Sequence, residues 1–301
     1  MTPPSEGRQY QDRSARDTSS APRAWNSPSP SDVLDRATTA RIDDFLLGGS
    51  SNYALDRLWV GRQREIMPGL AGLALDNRTF RRRVVRDALG EGIRQFVDIG
   101  SGLLSTLAAP VHVVAQEFGV HTECRVAYVD HDPVVHAHSE LVLQRSGSSQ
   151  TQALRADFRD LATVWRQVVA TGLIDPQEPT CLLALGLLDL IAPEDRPEVH
   201  LGIYKDHVAP GSLLALSHLA DLGDEPALRE VVDRYAETTT PAYLRDRAQI
   251  EEFFGDWALL QPGLVAAPLW RPGRDDWSRT PAHERSRRLV GVARKPGKAH
   301  P

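Results

Sequence analysis

The stretch FVDIGSGLL, residues 96–104, holds side chains and backbone groups that could bind a ligand. Its apolar start ends at Asp98, and two glycines, Gly100 and Gly102, flank Ser101. Glycine lets the backbone approach a bound molecule closely, and a helix that follows would offer free N–H groups. A dinucleotide-binding loop would carry a third glycine three positions later, and a carboxylate beside the loop would repel a pyrophosphate. Asp98 suits a cofactor that carries a cationic amino group and no phosphate.

Two more carboxylates follow apolar segments further along the chain. Asp130, with His131 after it, can accept hydrogen bonds from both hydroxyls of a ribose. Asp157, with Phe158 after it, can accept one from the amino group of adenine, or it could only cap the next helix. An acid, a glycine loop and two further acids in this order fit S-adenosylmethionine better than NAD. We therefore expect S-adenosylmethionine as the cofactor.

Alternating strand-like and helix-like segments after residue 92 would place these residues along one edge of a sheet. The first five strand-like segments cover 93–100, 124–130, 151–157, 181–188 and 211–218, and helix-like segments at 103–118, 133–145, 158–171 and 195–208 lie between them. Apolar strands joined by crossover helices are typical of a parallel sheet that is covered on both faces. Ligands bind at the carboxyl ends of such strands. A helix near 245–254, a short strand near 257–261 and a last strand at 287–295 follow.

The part of the chain before residue 93 has a different pattern. Residues 1–30 contain no Val, Ile, Leu or Phe, so they cannot bury enough surface to offset their ordering entropy, and we expect a disordered tail. Apolar residues at helical spacing in 31–92 predict about three helices, which we expect to form a lid over the cofactor-binding domain at 93–301. The lid residues that we expect to face the cofactor or substrate are Arg41, Asn52 and Tyr53.

The composition limits the classes of protein to which the chain can belong. A net charge of −5 and a pI near 6.1 argue against a nucleic-acid-binding protein. Both cysteines, Cys124 and Cys181, lie in strand-like segments, so we expect no disulfides and a reducing, cytoplasmic location. No apolar run is long enough for a membrane span. Histidines near His136 lack the spacing of metal ligands, so we also expect no metal.

Five blocks of sequence occur in the same order as in a known family. They are RIDDFLLGGSSNYALDR (41–57), IRQFVDIGSGL (93–103), AYVDHDPVV (127–135), GSLLALSH (211–218) and FFGDWALLQPGLVAAPLWRP (253–272). From about Ser27 to Arg294 the chain resembles the bacterial S-adenosylmethionine-dependent methyltransferases once catalogued as a domain of unknown function. The resemblance implies the class I methyltransferase fold, a doubly wound α/β sheet of seven strands that is parallel except for an antiparallel last strand. It also implies cofactor contacts at Asp98, Gly100, Gly102, Asp130, Asp157 and Phe158.

The resemblance and the acidic series together predict a methyltransferase that acts on a small-molecule acceptor by in-line methyl transfer. His218, at the end of the fifth strand, is the expected general base, although it could instead be a structural histidine. The oligomeric state stays open. Two alternatives remain, an NAD(P)-dependent oxidoreductase with a related fold and a non-catalytic S-adenosylmethionine-binding regulator. The second is favoured by the turn after the fourth strand, LGLLDLIAPED, which lacks the histidine usual in that family.

Overall fold

The computed structural model of the chain describes residues 30–273 and 286–297. The expected disordered tail therefore lies, apart from Pro30, outside the described residues. Ten α-helices are found in these ranges: α1 Pro30–Asp35, α2 Thr39–Leu46, α3 Ala54–Ile66, α4 Leu70–Gly90, α5 Val111–Glu117, α6 Pro133–Ser146, α7 Leu161–Ala170, α8 Pro197–Asp206, α9 Pro226–Asp233 and α10 Arg247–Glu252. The strands are β1 Gln95–Ile99, β2 Arg125–Asp130, β3 Thr151–Arg155, β4 Thr180–Leu185, β5 Leu213–Leu219, β6 Ala258–Leu259, β7 Val265–Ala266 and β8 Arg288–Arg294.

The strands form one mixed sheet in the order β3-β2-β1-β4-β5-β8-β6, with β7 also paired to β8. Strands β1 to β5 are parallel, and β8 runs antiparallel between β5 and β6. The predicted doubly wound sheet with an antiparallel last strand is confirmed. The two-residue strand β7 is an addition that the Pro- and Trp-rich sequence around it did not indicate. Strand order reverses between β1 and β4, which is where open α/β sheets bind ligands.

Two apolar layers cover the faces of the sheet. Because successive side chains of a strand point to opposite faces, Val97 of β1 lies in one layer and Phe96 in the other. Strand β4 is buried along its whole length and alternates in the same way. Burial on both faces explains why these strands are apolar almost throughout.

Helix α4 belongs to the sheet and not to a separate lid. Its residues Phe80, Val84 and Ala88 are fully buried in the same layer as Phe96. The expected boundary between a lid at 31–92 and a domain at 93–301 therefore cuts through a packed layer. The periodicity of α4 indicated a buried face correctly, but it could not indicate which element that face contacts.

A helical cap packs on the sheet, and we define it as α1, α2, α3, the first turn of α4, and α9. Its shared apolar cluster includes Ile42, Trp59, Leu73 and Val231, all buried. Helix α2 is the part of the cap that reaches the carboxyl ends of the parallel strands, where its residues line a cleft. The expectation of N-terminal helices over the strand ends thus describes α1 to α3.

Candidate functional site

A cleft of about 1010 Å³, part of it open to solvent, lies at the carboxyl ends of β1, β2, β3 and β4. It therefore includes the point where strand order reverses. The structure brings together at this cleft seven of the residues expected to bind the cofactor, namely Gly100, Ser101, Gly102, Asp130, His131, Asp157 and Phe158.

The glycine loop after β1 forms part of the cleft wall. Gly100 and Gly102 have φ values of +69° and +63°, a backbone region that residues other than glycine rarely adopt. A Cβ atom on Gly100 would lie 2.8 Å from Cδ1 of Leu187, whereas one on Gly102 would meet nothing within 4 Å. Packing thus requires the first glycine, and the second leaves open space beside the backbone.

The helix expected from residue 103 begins later than predicted. A 3-10 turn at Thr106–Ala108 follows the glycine loop, and α5 begins only at Val111, after Pro110 at its N-cap position. The free N–H groups of a helix N-terminus therefore do not directly follow the glycines. This part of the expected cofactor cradle is wrong, because the aliphatic residues after Gly102 pack in the core without forming a continuous helix.

The carboxylate of Asp130 is held in a fixed orientation at the cleft. Its Oδ2 accepts a hydrogen bond from the Gly102 amide at 3.0 Å, and its Oδ1 accepts one from the Asp132 amide at 3.0 Å. Burial raises the pKa of Asp130, while the nearby His131 ring and the two amides oppose that rise. Each oxygen retains a lone pair that can accept a ligand hydroxyl.

Asp157 lies at the cleft in an ion pair and does not cap the next helix. Its Oδ1 accepts hydrogen bonds from the backbone N and Nε of Arg159, and its Oδ2 accepts one from Nη2 at 2.7 Å. Burial raises the pKa of Asp157, but Arg159 more than offsets this and holds it below its usual range. The N-cap of α7 is Asp160. Oδ2 of Asp157 keeps one free acceptor position, and Phe158, stacked 5.2 Å from Tyr204, adds an apolar wall.

Asp98 lies behind the cleft wall, fully buried, and it is not among the residues that line the cleft. Nη1 of Arg81 lies 3.2 Å from its Oδ2. Burial raises the pKa of Asp98, and the Arg81 charge opposes the rise. The expected contact between Asp98 and a cofactor amino group does not fit this position, because Arg81 and not Asp98 reaches the cleft.

The three lid residues predicted to face the cleft hold the cap together. Nε of Arg41 lies 2.7 Å from Oδ2 of Asp56, and its other nitrogens donate to carbonyls of α1 and the turn after it. The guanidinium carbon of Arg41 also lies 4.4 Å from the ring centre of Tyr53. Asn52 donates to Oδ2 of Asp44 at 2.8 Å. None of the three predicted residues lines the cleft, so the expectation that they bind a ligand is not supported by their positions.

Sequence reasoning missed the polar residues that the cap and α4 do supply to the cleft. They are Thr39 and Asp43 of α2, Asn77 and Arg81 of α4, and Thr239 and Thr240 after α9. The only signal for the four residues of α2 and α4 was that they lie beside core positions on amphipathic helices, and the sequence contained no signal for Thr239 and Thr240. That signal does not separate a polar residue facing solvent from one facing an enclosed cleft.

His218 is fully buried in a network of charged groups away from the cleft. Its Nδ1 lies 2.8 Å from Oδ1 of Asp189, and its Nε2 lies 2.8 Å from Nη1 of Arg245. A guanidinium can only donate, so Nε2 accepts and the ring proton is on Nδ1. The position of His218 therefore does not support its expected role as a general base, since both ring nitrogens are engaged.

Asp189, which follows β4, is turned into the same network. Burial alone would raise the pKa of Asp189, but the neighbouring His218 ring, the Arg288 charge and the Leu219 amide hold it below its usual range. Its Oδ2 lies 3.1 Å from Nη1 of Arg288. The β4 end therefore presents to the cleft its apolar and glycine residues, Leu185, Gly186 and Leu187, and not this carboxylate.

Two features of residues 30–273 and 286–297 bear on other classes of function. No group of three or more His, Cys, Asp and Glu side chains in these ranges is arranged to hold a metal ion. No helix in them has the length and apolar character needed to cross a bilayer.

Comparison with known proteins agrees with the fold. A structure from Thermobifida fusca YX, described as a candidate methyltransferase, shares 33% identity with a TM-score of 0.79, over 91% of this chain and 100% of that one. A protein of the DUF574 family from Streptomyces avermitilis shares 30% identity with a TM-score of 0.79, over 87% and 98% of the two chains.

A curated relative from Mycolicibacterium smegmatis, described as a candidate S-adenosyl-L-methionine-dependent methyltransferase, is 27% identical over 182 residues. The match covers 56% of this chain and 56% of that relative. Residues 28–296 match the model of the family described as S-adenosyl methyltransferase. The resemblance drawn from the five sequence blocks is thus confirmed, and the chain belongs to the S-adenosyl methyltransferase family.

Proposed function

We propose that the protein transfers a methyl group from S-adenosylmethionine to a small-molecule acceptor bound in the cleft. The observation that carries the proposal is the position of Asp130. Its carboxylate is fixed by two backbone amides beside an open glycine loop at the point where strand order reverses. A ribose diol fits an oriented carboxylate of this kind, and the family membership of the chain supports the choice of cofactor.

The cleft has a suitable residue for each part of the adenosine. Asp130 would accept hydrogen bonds from the ribose hydroxyls, and the free acceptor position of Asp157 would take the adenine amino group. Phe158 would supply an apolar surface for the base. Bound S-adenosylmethionine would supply an electrophilic methyl group on a sulfonium, open to in-line attack.

The rest of the cleft is suited to a small acceptor that is neutral where it reacts. Besides the residues assigned to the adenosine, the cleft lining includes small hydroxyl and aliphatic side chains, namely Thr39, Leu187, Leu190, Ile191 and Thr240. None of these side chains is a strong base, so the residues would act by aligning the acceptor and excluding water. Positioning of this kind can supply up to roughly 7–11 kcal/mol of the barrier.

Calorimetry and labelled methyl transfer test this proposal. We expect S-adenosylmethionine and S-adenosylhomocysteine to bind and NAD to bind far more weakly. Asp130→Ala should weaken both ligands at least about tenfold, because hydrogen bonds to a charged group contribute roughly 1.5–3 kcal/mol. Glu140→Ala, an exposed residue of α6, is the matched control. Wild-type affinity in Asp130→Ala, or preferential NAD binding, would contradict the proposal.

A non-catalytic regulator that binds the same cofactor is the second candidate. The observation that favours it is the β4 end, which contributes no titratable side chain to the cleft. Incubation with labelled S-adenosylmethionine and metabolite extracts separates the two functions. Labelled product supports the enzyme, whereas tight binding without any labelled product supports the regulator. Family membership sets aside the oxidoreductase alternative.

We further propose that the protein works in the reducing cytoplasm without a nucleic-acid partner. Both cysteines are buried and unpaired, and burial raises the pKa of the Cys124 thiol to about 12. The net charge of −5 gives no general attraction to a phosphate backbone.

A further inference from the structure

Two side chains of opposite charge lie where the cleft meets a second cavity. The second cavity, of about 500 Å³ with part of it open to solvent, shares six residues with the cleft: Ala40, Asp43, Asn77, Arg81, Ser101 and Gly102. Asp43 comes from α2 and Arg81 from α4, so the cap and the sheet layer each supply one charge. The glycine loop lies at the same junction. A ligand that follows the loop out of the adenosine site would meet both charges.

The Asp43 side chain is exposed to solvent and lines both cavities. Within the described ranges, its carboxylate forms no hydrogen bond or ion pair with another residue. Burial raises the pKa of Asp43 to about 6, although the charges of Arg288 and Arg81 oppose the rise. A bound cation would supply the close partner that this carboxylate does not have in the chain itself.

Arg81 is only 7% exposed, and its one ion pair within residues 30–273 and 286–297 is with the buried Asp98. That pair is close but does not have hydrogen-bond geometry, and Nη1 of Arg81 has no hydrogen-bond partner. A guanidinium stays charged and presents five N–H donors in a planar fork that matches a carboxylate. A buried fork beside a cavity is therefore suited to an anionic ligand group.

We propose that Asp43 and Arg81 bind the zwitterionic amino-acid end of S-adenosylmethionine. Asp43 accepts a hydrogen bond from the α-ammonium group, and Arg81 donates to the α-carboxylate. This inference rests on the proposed function, and it gives to Asp43 the role that the sequence suggested for Asp98. A phosphate would suit Arg81 but would be repelled by Asp43, so the pair selects a zwitterion.

Three ligands that differ only in the amino-acid end test the proposal by calorimetry at pH 7. S-adenosylhomocysteine carries both charged groups, its decarboxylated analogue carries only the ammonium, and 5′-methylthioadenosine carries neither. We expect the wild-type protein to bind the decarboxylated analogue at least about tenfold more weakly than S-adenosylhomocysteine, and 5′-methylthioadenosine at least about tenfold more weakly again. Each of these changes in the ligand removes a charge-assisted hydrogen bond. All three ligands share the adenosine, so its site serves as an internal reference.

Two variants assign each charge to its partner. Asp43→Asn should weaken S-adenosylhomocysteine and the decarboxylated analogue about tenfold or more and leave 5′-methylthioadenosine within about twofold. Arg81→Met would leave Asp98 buried without a counter-charge, so it is combined with Asp98→Asn. The double variant should weaken S-adenosylhomocysteine alone. Glu65→Gln on α3 and Arg86→Met on α4 are exposed controls for the loss of each charge.

The possible outcomes are separable. Wild-type affinity of Asp43→Asn for S-adenosylhomocysteine overturns the proposal, as does an equal loss for 5′-methylthioadenosine. If 5′-methylthioadenosine binds to the wild type as tightly as S-adenosylhomocysteine, the proposed role of Asp43 and Arg81 is refuted, but the proposed adenosine site is not. If none of the three ligands binds, the proposed function fails as well.

Discussion

The charge state of Asp43 should make cofactor affinity depend on pH. Its pKa is raised by burial to about 6, so the carboxylate loses its charge as pH falls through that value. The product ligand keeps its ammonium group below pH 7. We therefore predict that affinity for S-adenosylhomocysteine falls between pH 7 and pH 5, by up to about tenfold per pH unit below the pKa.

Calorimetry of wild type and Asp43→Asn at several pH values measures this dependence. The charged or titratable groups that act on Asp43 are Arg81 on α4, Arg288 on β8, Asp189 after β4 and Tyr235 after α9. All four keep their charge state between pH 5 and 7, because the pKa of Asp189 is lowered and that of Tyr235 is raised. A steep dependence that persists in Asp43→Asn would point to other groups, such as His131.

The histidine at the end of β5 should matter for stability and not for ligand binding. His218→Ala removes a buried partner from both Asp189 and Arg245, and removing one member of a buried charged network costs on the order of 3 kcal/mol. Urea unfolding should show this loss, while affinity for S-adenosylhomocysteine stays within error. His121→Ala, at an exposed position, should change neither. A His218→Ala protein with unchanged stability would refute the structural role.

At the scale of elements, the two glycines of the loop after β1 have different roles, one in packing and one in ligand binding. Alanine at either glycine costs about 1–2 kcal/mol because φ is positive at both. At Gly100 the new methyl group also overlaps Leu187, whereas at Gly102 it points into open space. We predict that Gly100→Ala is the less stable variant and that Gly102→Ala keeps its fold but binds S-adenosylhomocysteine more weakly.

Thermal melts and ligand titrations on the two glycine variants give the comparison. Equal losses of stability would show that Leu187 can move aside. Unchanged affinity in Gly102→Ala would show that the open space beside this loop is not where the cofactor binds.

The sequence predicted the elements better than the side chains that face the cleft. Strand ends place Asp130 and Asp157 by local rules alone, because a parallel strand presents its carboxyl end at a known edge. Asp98 ends a strand in the same way, but its environment depends on α4, which lies before β1 in the chain. Placing Arg81 against Asp98 requires knowing how a helix packs on a distant face, and periodicity does not contain that information.

Local chemistry was equally ambiguous in the cap. Arg41 and Asn52 are polar residues next to a glycine turn, a pattern that suits a ligand site and a structural clamp alike. Arg41 contacts Asp56 and Asn52 donates to Asp44, so both residues have the structural role. Asp56 and Asp44 lie on the same short segment as Arg41 and Asn52, so the sequence could have suggested these pairings. It could not show whether these pairings or contacts with the cleft are formed in the fold.

At the scale of the whole molecule, the start of the sequence should be dispensable and α4 should not. The family match begins at residue 28, and residues 1–30 contain no Val, Ile, Leu or Phe. We predict that removal of Met1 to Trp25 leaves melting temperature and S-adenosylhomocysteine affinity within error. Removal of residues 1–92 would expose the sheet face that α4 covers, and we expect an insoluble chain.

Melting curves and gel filtration of the two truncated proteins test this pair. A drop of several degrees for the shorter truncation would mean that the first residues dock on the domain. A soluble, cooperatively melting protein without residues 1–92 would show that α4 is not required for the core.

The place of β8 in the sheet has a consequence for biosynthesis. β8 leaves the ribosome after all the other described strands, yet it fits between β5 and β6, and six of its seven residues are buried. Until it emerges, the nascent chain holds a long unpaired edge along β5 and an open core. Such edges are prone to intermolecular pairing. The chain should therefore depend on chaperone protection until β8 has left the ribosome.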